Sequence, residues 1–560
     1  MRASIILAIY PITSVRGKVL EEESSMTIET CSSRLRAAML AAILFGALVG
    51  RADAAPPVVG DPSLPPTETM GVAIPPGQID RAIRHIDGLV AAILRKTGIP
   101  GMAVAVVRGG KTVYAKGFGV RRAGAPEKVD ADTVFQIASL SKPVGATVVA
   151  HEVGQHVVAW DTPIVRHLPW FALGDDWITR HVTIADMYAH RSGLPDHAGD
   201  DLEDIGYDRR QVLERLRFLP LHSFRDDYAY TNFGVTAAAE AVATAAGTDW
   251  AMLSEQAIYQ PLGMTATSSR FDDFDKRTNH AVGHVRVGGV FVPKYQRQPD
   301  AQSPAAGVSS SVNDMARWVA MVLQGGVYNG RAIVAKDALL PAVTAEVITG
   351  HAPSMTARPS LYGYGFGIGI QPSGMIALSH SGGFELGFAT NVLMIPSAGV
   401  GIVTLSNAWP IGAVEALDAE FADLVQFGTV TRDWLHDYGM VTASITAVVG
   451  SLAGKSPPAH PTPSASLQTY AGVYANDYAG DAEVVQRGDG LVLKLGPKGM
   501  EFPLRHWDGN EFVYTPVGEN APDGSVSSVT FKLGATGAAE AVNIEFFAAS
   551  GRGDFTRKSN

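Results

Sequence analysis

Cysteine is almost absent from this chain. Its 560 residues contain one, Cys31, so no intrachain disulfide can form. The fold must be held by burial of apolar surface, which a chain of this length permits. A dominant charge of one sign is also lacking, with 45 Lys and Arg against 55 Asp and Glu for a net charge of −10. No long basic run exists, which argues against nucleic acid as a partner. No internal repeat is present. The apolar run "AAMLAAILFGALVG" (37–50) is too short to span a bilayer comfortably. What remains is 46% hydrophobic and 18% charged, an ordinary globular composition with room for one large domain and a smaller one.

The first 54 residues read as a leader. Arg34 and Arg36 precede the apolar run, and Ala52-Asp53-Ala54 follows it as a small-x-small cleavage site. We therefore expect export to the periplasm or beyond, a mature N-terminus at Ala55, and no stable membrane span after cleavage. Met26 stands at a more usual distance from the run than Met1, so translation is expected to start there, with 1–25 an upstream extension. The alternative is an uncleaved anchor. Cys31 precedes the run, whereas lipid attachment would need it just after.

Periodicity organises the rest. Ile79, Ile83, Ile86, Val90 and Ile93 recur at three- and four-residue steps, which predicts an amphipathic helix over 79–98 closed by Gly98. Residues 102–119 predict two strands turned by Gly109-Gly110. The order reverses later, with a hairpin over 390–407 and a helix over 413–427. One antiparallel sheet built from both ends of this region, with the two helices on one face, accounts for the symmetry. The stretch between, about 120–380, predicts a second lobe of helices and loops, with a cleft between the lobes. A connecting segment over 431–466 ends in a Pro/Ser-rich linker, "GKSPPAHPTPSAS" (454–466). Short strands separated by Gly, Asp and Asn then predict an all-β module over 467–560, a small sandwich or barrel that the linker would leave free to fold by itself.

Three short motifs carry the candidate chemistry. In "ASLSKPVG", Ser139 and Lys142 are three apart, which puts them on one helix face if Ser139 opens the helix and Pro143 sits in its first turn. A serine hydroxyl needs a base, and a lysine amine can serve if burial lowers its pKa. Ser141 points away and is assigned to capping or packing. "YAYTN" offers Tyr230 and Asn232, two apart before a helix-like run. "LSHSGG" offers His380, Ser381, Gly382 and Gly383: a cation, a hydroxyl, and glycines that let backbone approach a substrate. Taken singly, each has an ordinary explanation as a cap, a buried tyrosine or a turn. Two further patterns are set aside. "HEVGQH" places His151 and His156 five apart, about 140° around a helix, whereas the zinc-helix arrangement needs four. "RGD" (552–554) reads as a turn.

Together and in this order, S-x-x-K, Y-x-N and H-x-G resemble the layout of the penicillin-recognising serine hydrolases. The chain resembles the class C β-lactamase and D-alanyl-D-alanine carboxypeptidase superfamily in its broad β-lactamase-related branch. "VTIADMYAHRSGLPDH" (182–197), "YQPLGMTAT" (259–267) and "AAGVSSSVNDMARWVAMVLQGG" (305–326) resemble further segments of that branch. The likeness covers about 80–425. The β-rich tail resembles the lipocalin-like C-terminal domains of some members. The third motif departs from the pattern: β-lactamases usually carry Lys-Thr-Gly there, and histidine occurs in peptidase and esterase members.

The resemblance implies an α/β fold of the β-lactamase and penicillin-binding-protein kind. It places a serine hydrolase domain over 75–430 and a small all-β barrel after it. It implies an acyl-enzyme on Ser139, with Lys142 and Tyr230 handling the proton and Asn232 holding substrate or lysine. His380 and Ser381, on an edge strand, would read a substrate carboxylate or join the proton relay, beside Gly382. The amides of Ser139 and Gly383, or a neighbour, would hold the oxyanion. Small peptides with D-amino acids, or esters, are the expected substrates, with no cofactor and no metal. Alternatives are a β-lactamase proper, a non-catalytic sensor of cell-wall peptides, or acyl transfer to an amine.

Overall fold

Residues 102–107 read Met-Ala-Val-Ala-Val-Val, and the strand they form, β1 (Gly101–Arg108), divides them between two cores. Met102, Val104 and Val106 enter one apolar cluster, while Ala103, Ala105 and Val107 enter another. Period-two alternation on a strand buried on both sides requires this division. The computed structural model describes residues 58–559 apart from 61–62, 70 and 536. The expected leader, Cys31 and the expected cleavage site lie outside the described residues.

β1 turns through Gly109-Gly110 into β2 (Lys111–Gly119). The other strands of this sheet come from far along the chain: β3 (Val347–Gly350), β4 (Ser360–Tyr362), β5 (Gly367–Ile370), β6 (Ile376–Phe384), β7 (Phe388–Ile395) and β8 (Val400–Ser406). The eight strands run antiparallel in the order β3-β4-β5-β6-β7-β8-β1-β2. The junction of the two hairpins is the β8–β1 pairing, from Val400 opposite Arg108 to Ser406 opposite Met102.

Two helices cover one face of the sheet, as the sequence pattern predicts. They are α1 (Gln78–Thr97), capped by Gly98 at φ 75°, and α6 (Ala413–Phe427). Ile86, Val90 and Ile93 of α1 meet Leu417, Phe421 and Val425 of α6 in the core between helices and sheet. The other face packs against a helical lobe that contains α2 (Ser141–Gly154), α3 (Asp200–Asp204), α4 (Asn232–Ala246) and α5 (Val312–Leu323). Among the described residues no helix is long and apolar enough to cross a membrane.

The tail is a closed barrel of eight antiparallel strands, β9 (Gly472–Ala475), β10 (Ala482–Arg487), β11 (Gly490–Leu495), β12 (Met500–Asp508), β13 (Glu511–Tyr514), β14 (Ser527–Leu533), β15 (Ala539–Ile544) and β16 (Asp554–Arg557). Each strand pairs with its sequence neighbour, and Tyr474 opposite Arg557 closes the ring. This up-and-down order leaves no free edge. The linker does not isolate the barrel as its composition suggests. Tyr470, Tyr474, Tyr478 and Phe531 belong to the same continuous apolar cluster as Val144, Leu202 and Phe233 of the helical lobe. The barrel is a separate sheet but not a separate core.

Candidate active site

Ser139 does not open the long helix. It sits in a 3-10 turn, Ala138–Leu140, and α2 begins at Ser141. Pro143 still falls in the first turn of α2, where its missing N–H is harmless. Ala138, next to Ser139, has φ 48°, a left-handed backbone that a non-glycine residue adopts only when its surroundings hold it there. Six non-glycine residues have positive φ among the described residues, and three of them, Ala138, His190 and His197, gather in this region.

The turn aims Ser139 Oγ at two groups. Tyr230 Oη lies 2.7 Å away, and Lys142 Nζ donates to Oγ across 3.1 Å. Lys142 is fully buried and donates two further bonds, to Asn232 Oδ1 at 2.6 Å and to the Ala305 carbonyl at 3.1 Å. Its ammonium also lies 4.3 Å from the centre of the Tyr230 ring. Burial lowers the lysine pKa to about 7, and the charge of Asp200 limits the fall. Burial drives the Tyr230 phenol the other way, well above its usual range, so it stays protonated at neutral pH. Of the two groups, the amine is the one whose proton is labile near neutrality. Ser141 faces elsewhere: its Oγ donates to Ala138 O at 2.6 Å and accepts from Val308 N at 3.0 Å.

Strand β6 brings the third motif alongside. It is not an edge strand, since it lies between β5 and β7. However, β5 pairs with it only from Ile376 to Ser379, so residues 380–384 have one open side. A Cβ at Gly382 would collide with the Ile137 carbonyl and lie 3.0 Å from Ser139 N, so only glycine lets the strand pass this close to Ser139.

His380 and Ser381 do not share a face. Adjacent strand residues point to opposite sides of a sheet. His380 turns to the helical lobe. Ser381 turns to α6, where its Oγ donates to Asn391 Oδ1 at 3.0 Å, and Asn391 in turn donates to Asp418 at 2.7 Å. The expectation that the Ser381 side chain binds substrate is corrected accordingly. The expectation of a cationic His380 is corrected too. Burial, and then the nearby Lys142, push its pKa down to about 3. Its Nδ1–H donates to the Ser381 carbonyl at 2.6 Å, and its Nε2 accepts from the Tyr362 hydroxyl at 3.0 Å. The ring is neutral at physiological pH.

Residues not assigned from sequence complete the site. His190, buried, accepts from Thr231 N at 3.1 Å through Nδ1, while its Nε2 has no partner. The Tyr228 hydroxyl is likewise buried and unpartnered. The rings of Tyr228, Tyr230 and Tyr362 all lie within 6 Å of His190. Behind Asn232, Asp200 Oδ2 accepts from Asn232 Nδ2 at 2.8 Å and from His197 Nδ1 at 2.8 Å. His190 and His197 stand in the "AHRSGLPDH" stretch. That stretch signalled the region but not which of its side chains pack against Tyr230.

The comparisons with known proteins point the same way. The family model described as Beta-lactamase matches residues 83–427, more than half of the chain, and a domain of unknown function (DUF3471) matches 456–556. The unguisins hydrolase ungD' of Aspergillus campestris is 29% identical over 339 residues, 57% of this chain and 60% of that protein, so the match stops short of two thirds of the relative's length. The unguisins hydrolase ungD of Aspergillus violaceofuscus is 28% identical over 69% of this chain and 74% of its own. The D-alanyl-D-alanine-carboxypeptidase/endopeptidase AmpH of Escherichia coli is 23% identical over 61% of this chain and 88% of its own. The octameric penicillin-binding protein homologue from Pyrococcus abyssi shares the fold, with a TM-score of 0.54 at 19% identity over 83% of this chain and 98% of its own.

Proposed function

We propose, for a chain that belongs to the β-lactamase family and is a serine hydrolase, that Ser139 forms an acyl-enzyme with neutral ester or amide substrates, small peptides among them. Neutral Lys142 takes the proton from Ser139 Oγ as the oxygen bonds to the substrate carbonyl. The amides of Ser139 and Gly383 receive the oxyanion. As the carbonyl re-forms, the bond to the leaving group breaks, and the protonated lysine returns its proton to that group through the Tyr230 hydroxyl. Water then attacks the Ser139 ester by the same proton route, releasing the acid and the free serine. Asn232 keeps the lysine aimed at the serine.

The observation that carries this reading is the fully buried Lys142 amine, 3.1 Å from Ser139 Oγ with a pKa near 7. An ordinary surface lysine would be almost wholly protonated at neutral pH. The neutral state of His380 supports uncharged substrates. The likeness to a D-alanyl-D-alanine-carboxypeptidase/endopeptidase and to unguisins hydrolases supports peptide amide bonds among the substrates. We also propose an exported enzyme, and a likeness of the barrel to lipocalins that extends to topology alone.

One panel tests the reading. A neutral chromogenic ester, a D-alanyl peptide and a cephalosporin are offered to the purified protein, and a fluorophosphonate probe maps the reactive residue. Ester turnover with label on Ser139 is expected. No turnover on any of the three, together with no labelling of Ser139, would overturn it.

A further inference from the structure

The helix α3 has little reason of its own to form. It is five residues long, four of them are acidic, and its N-cap, Gly199, supplies no side-chain acceptor. Leu202 anchors it in the core. Asn232 and His197 bind Asp200, and Arg297 and Gln302 bind Glu203; the supports of Gly199, Asp201 and Asp204 come from the barrel, more than 270 residues further along the chain. The Tyr478 hydroxyl accepts from Gly199 N at 3.1 Å and donates to the Asp201 carboxylate. Ser550 Oγ donates to Asp201 Oδ2 at 3.1 Å. At the far end, the amides of Glu519 and Asn520 each donate to Asp204 at 2.9 Å.

Asn520 then spans the whole turn. Its side-chain amide donates to Asp204 Oδ2 at 2.9 Å and to the main-chain carbonyl of Asp200 at 3.1 Å. The approach is close enough that a Cβ at Gly518 would collide with the Asp204 carboxylate, and Gly518 also has φ 111°.

Asp200 is where this clamp meets the chemistry. One carboxylate oxygen, Oδ2, takes both the Asn232 and the His197 bonds, while Oδ1 is buried with no partner. The Asn520 bond to the Asp200 main-chain carbonyl ties the residue that carries this carboxylate to the barrel. An Asn side chain can present either its oxygen or its amide to a lysine. With Asp200 accepting from Nδ2, Asn232 can only turn Oδ1 toward Lys142.

We propose that Asp200 is a positioning residue for the nucleophile and base pair, and that the C-terminal barrel, through Asn520 and Tyr478, holds it in place. This rests on the reading of Lys142 as the base. The barrel thereby acts on the site through Asp200. The groups that face Lys142 are Asp200 from α3, Tyr230 and Asn232 from the start of α4, His380 from β6, and His190 and His197 from the loops between. The charge of Asp200 favours the protonated form of the lysine.

The test uses the full chain and five variants, one of them, Lys142→Arg, for assignment only. Asp200→Ala should lower kcat by about 10- to 100-fold with little change in KM, a loss on the scale of misplacing a member of a coupled unit. Asp200→Asn keeps an acceptor for Asn232 but not the charge. It should recover most of kcat while the acid limb of kcat/KM moves to lower pH, because the lysine loses its stabilising anion. Asn520→Ala should lower kcat about fivefold, and this loss should vanish in the Asp200→Ala, Asn520→Ala double variant. A second measurement needs no turnover. NMR of ε-13C-labelled lysine, with Lys142 assigned through Lys142→Arg, should show Lys142 titrating at lower pH in Asp200→Asn than in the wild type. Asn520→Ala should move it only while Asp200 is present. An inert wild type would remove the proposed function and leave this titration to decide the present inference. Equal lysine titration in wild type and Asp200→Asn would overturn the role of Asp200. Additive losses in the double variant, or an Asn520→Ala effect that persists without Asp200, would overturn the role of the barrel.

Discussion

Lys142 Nζ and Asn232 Oδ1 lie 2.6 Å apart in a fully buried setting, with the Ser139 hydroxyl 3.1 Å from the same nitrogen. An amide oxygen beside the amine favours N–H donation, while burial disfavours its charge. The two effects leave a lysine that can be neutral at physiological pH and is already aimed at the nucleophile.

The two serines of "ASLSK" should separate by experiment. Ser139→Ala should lose at least ~10³-fold in turnover, as expected for one member of a coupled catalytic unit, and should no longer react with a fluorophosphonate. Ser141→Ala should keep most of its activity but melt at lower temperature. Its hydroxyl joins Ala138 O to Val308 N in the interior, and losing such a bond costs about 1 to 3 kcal/mol. Probe labelling that survives in Ser139→Ala would refute the assignment.

The acid limb of the rate profile should belong to the lysine. Only the neutral amine can accept the serine proton, so kcat/KM for an uncharged ester should rise with pH and level off above about 7, the pKa to which burial lowers Lys142. Lys142→Arg should be inactive across the range, because a guanidinium does not release its proton. A profile flat from pH 5 to 8 in the wild type would exclude the amine as base.

His380 gives a sharper contrast. Its pKa of about 3 means that no charge appears or disappears on the ring near neutrality. The ratio of kcat/KM for a carboxylate-bearing substrate to that for a neutral ester of similar size should therefore stay constant from pH 5 to 9. An exposed histidine would make that ratio fall as pH rises through about 6.5. His380→Lys should raise the ratio about fivefold, the effect of roughly 1 kcal/mol of charge pairing. It should also shift the acid limb lower by placing a second cation near Lys142. A wild-type ratio that titrates near 6.5 would restore the charged histidine.

These cases mark where sequence reasoning reaches and where it stops. The two hairpins, α1 and α6 were legible because each carries a regular apolar period over many residues. Ser139, Lys142, Tyr230 and Asn232 were legible because their types and spacing form a pattern. The outward direction of Ser381 was also readable, since it neighbours His380 on one strand and the two cannot both face the cleft. The neutrality of His380 was not, because it depends on burial beside a lysine 238 positions away in sequence. Nor was the part played by Asp200. Its partners are Asn232, His197 and a barrel loop, and no local spacing unites them. The linker misled for a related reason: its composition describes the connection but not the surface on which the barrel docks.

The interface between barrel and lobe should itself respond to pH. Glu519 is partly buried there, facing Arg297, Asp204 and Glu203. Its Oε1 accepts from Glu385 N at 2.5 Å, and its Oε2 lies 3.8 Å from Arg297 Nε. Burial raises its pKa to about 8, against the pull of Arg297. In the unfolded chain the carboxyl would titrate near its ordinary value of 4.5. Between pH 4.5 and 8 the folded state thus holds more proton at this group than the unfolded state does. Its contribution to stability is complete below the lower value and is lost as pH rises through the upper one. Glu519→Gln keeps an acceptor for Glu385 N and removes the titration. The Tm of this variant should gain on that of the wild type as pH goes from 5 to 8. The difference between the two curves carries the information, because His190 and His380, buried in the neutral form, lower stability on the acid side of both. A Tm difference that stays constant across this range would show that Glu519 is ionised in the folded protein throughout, with Arg297 rather than burial setting its charge.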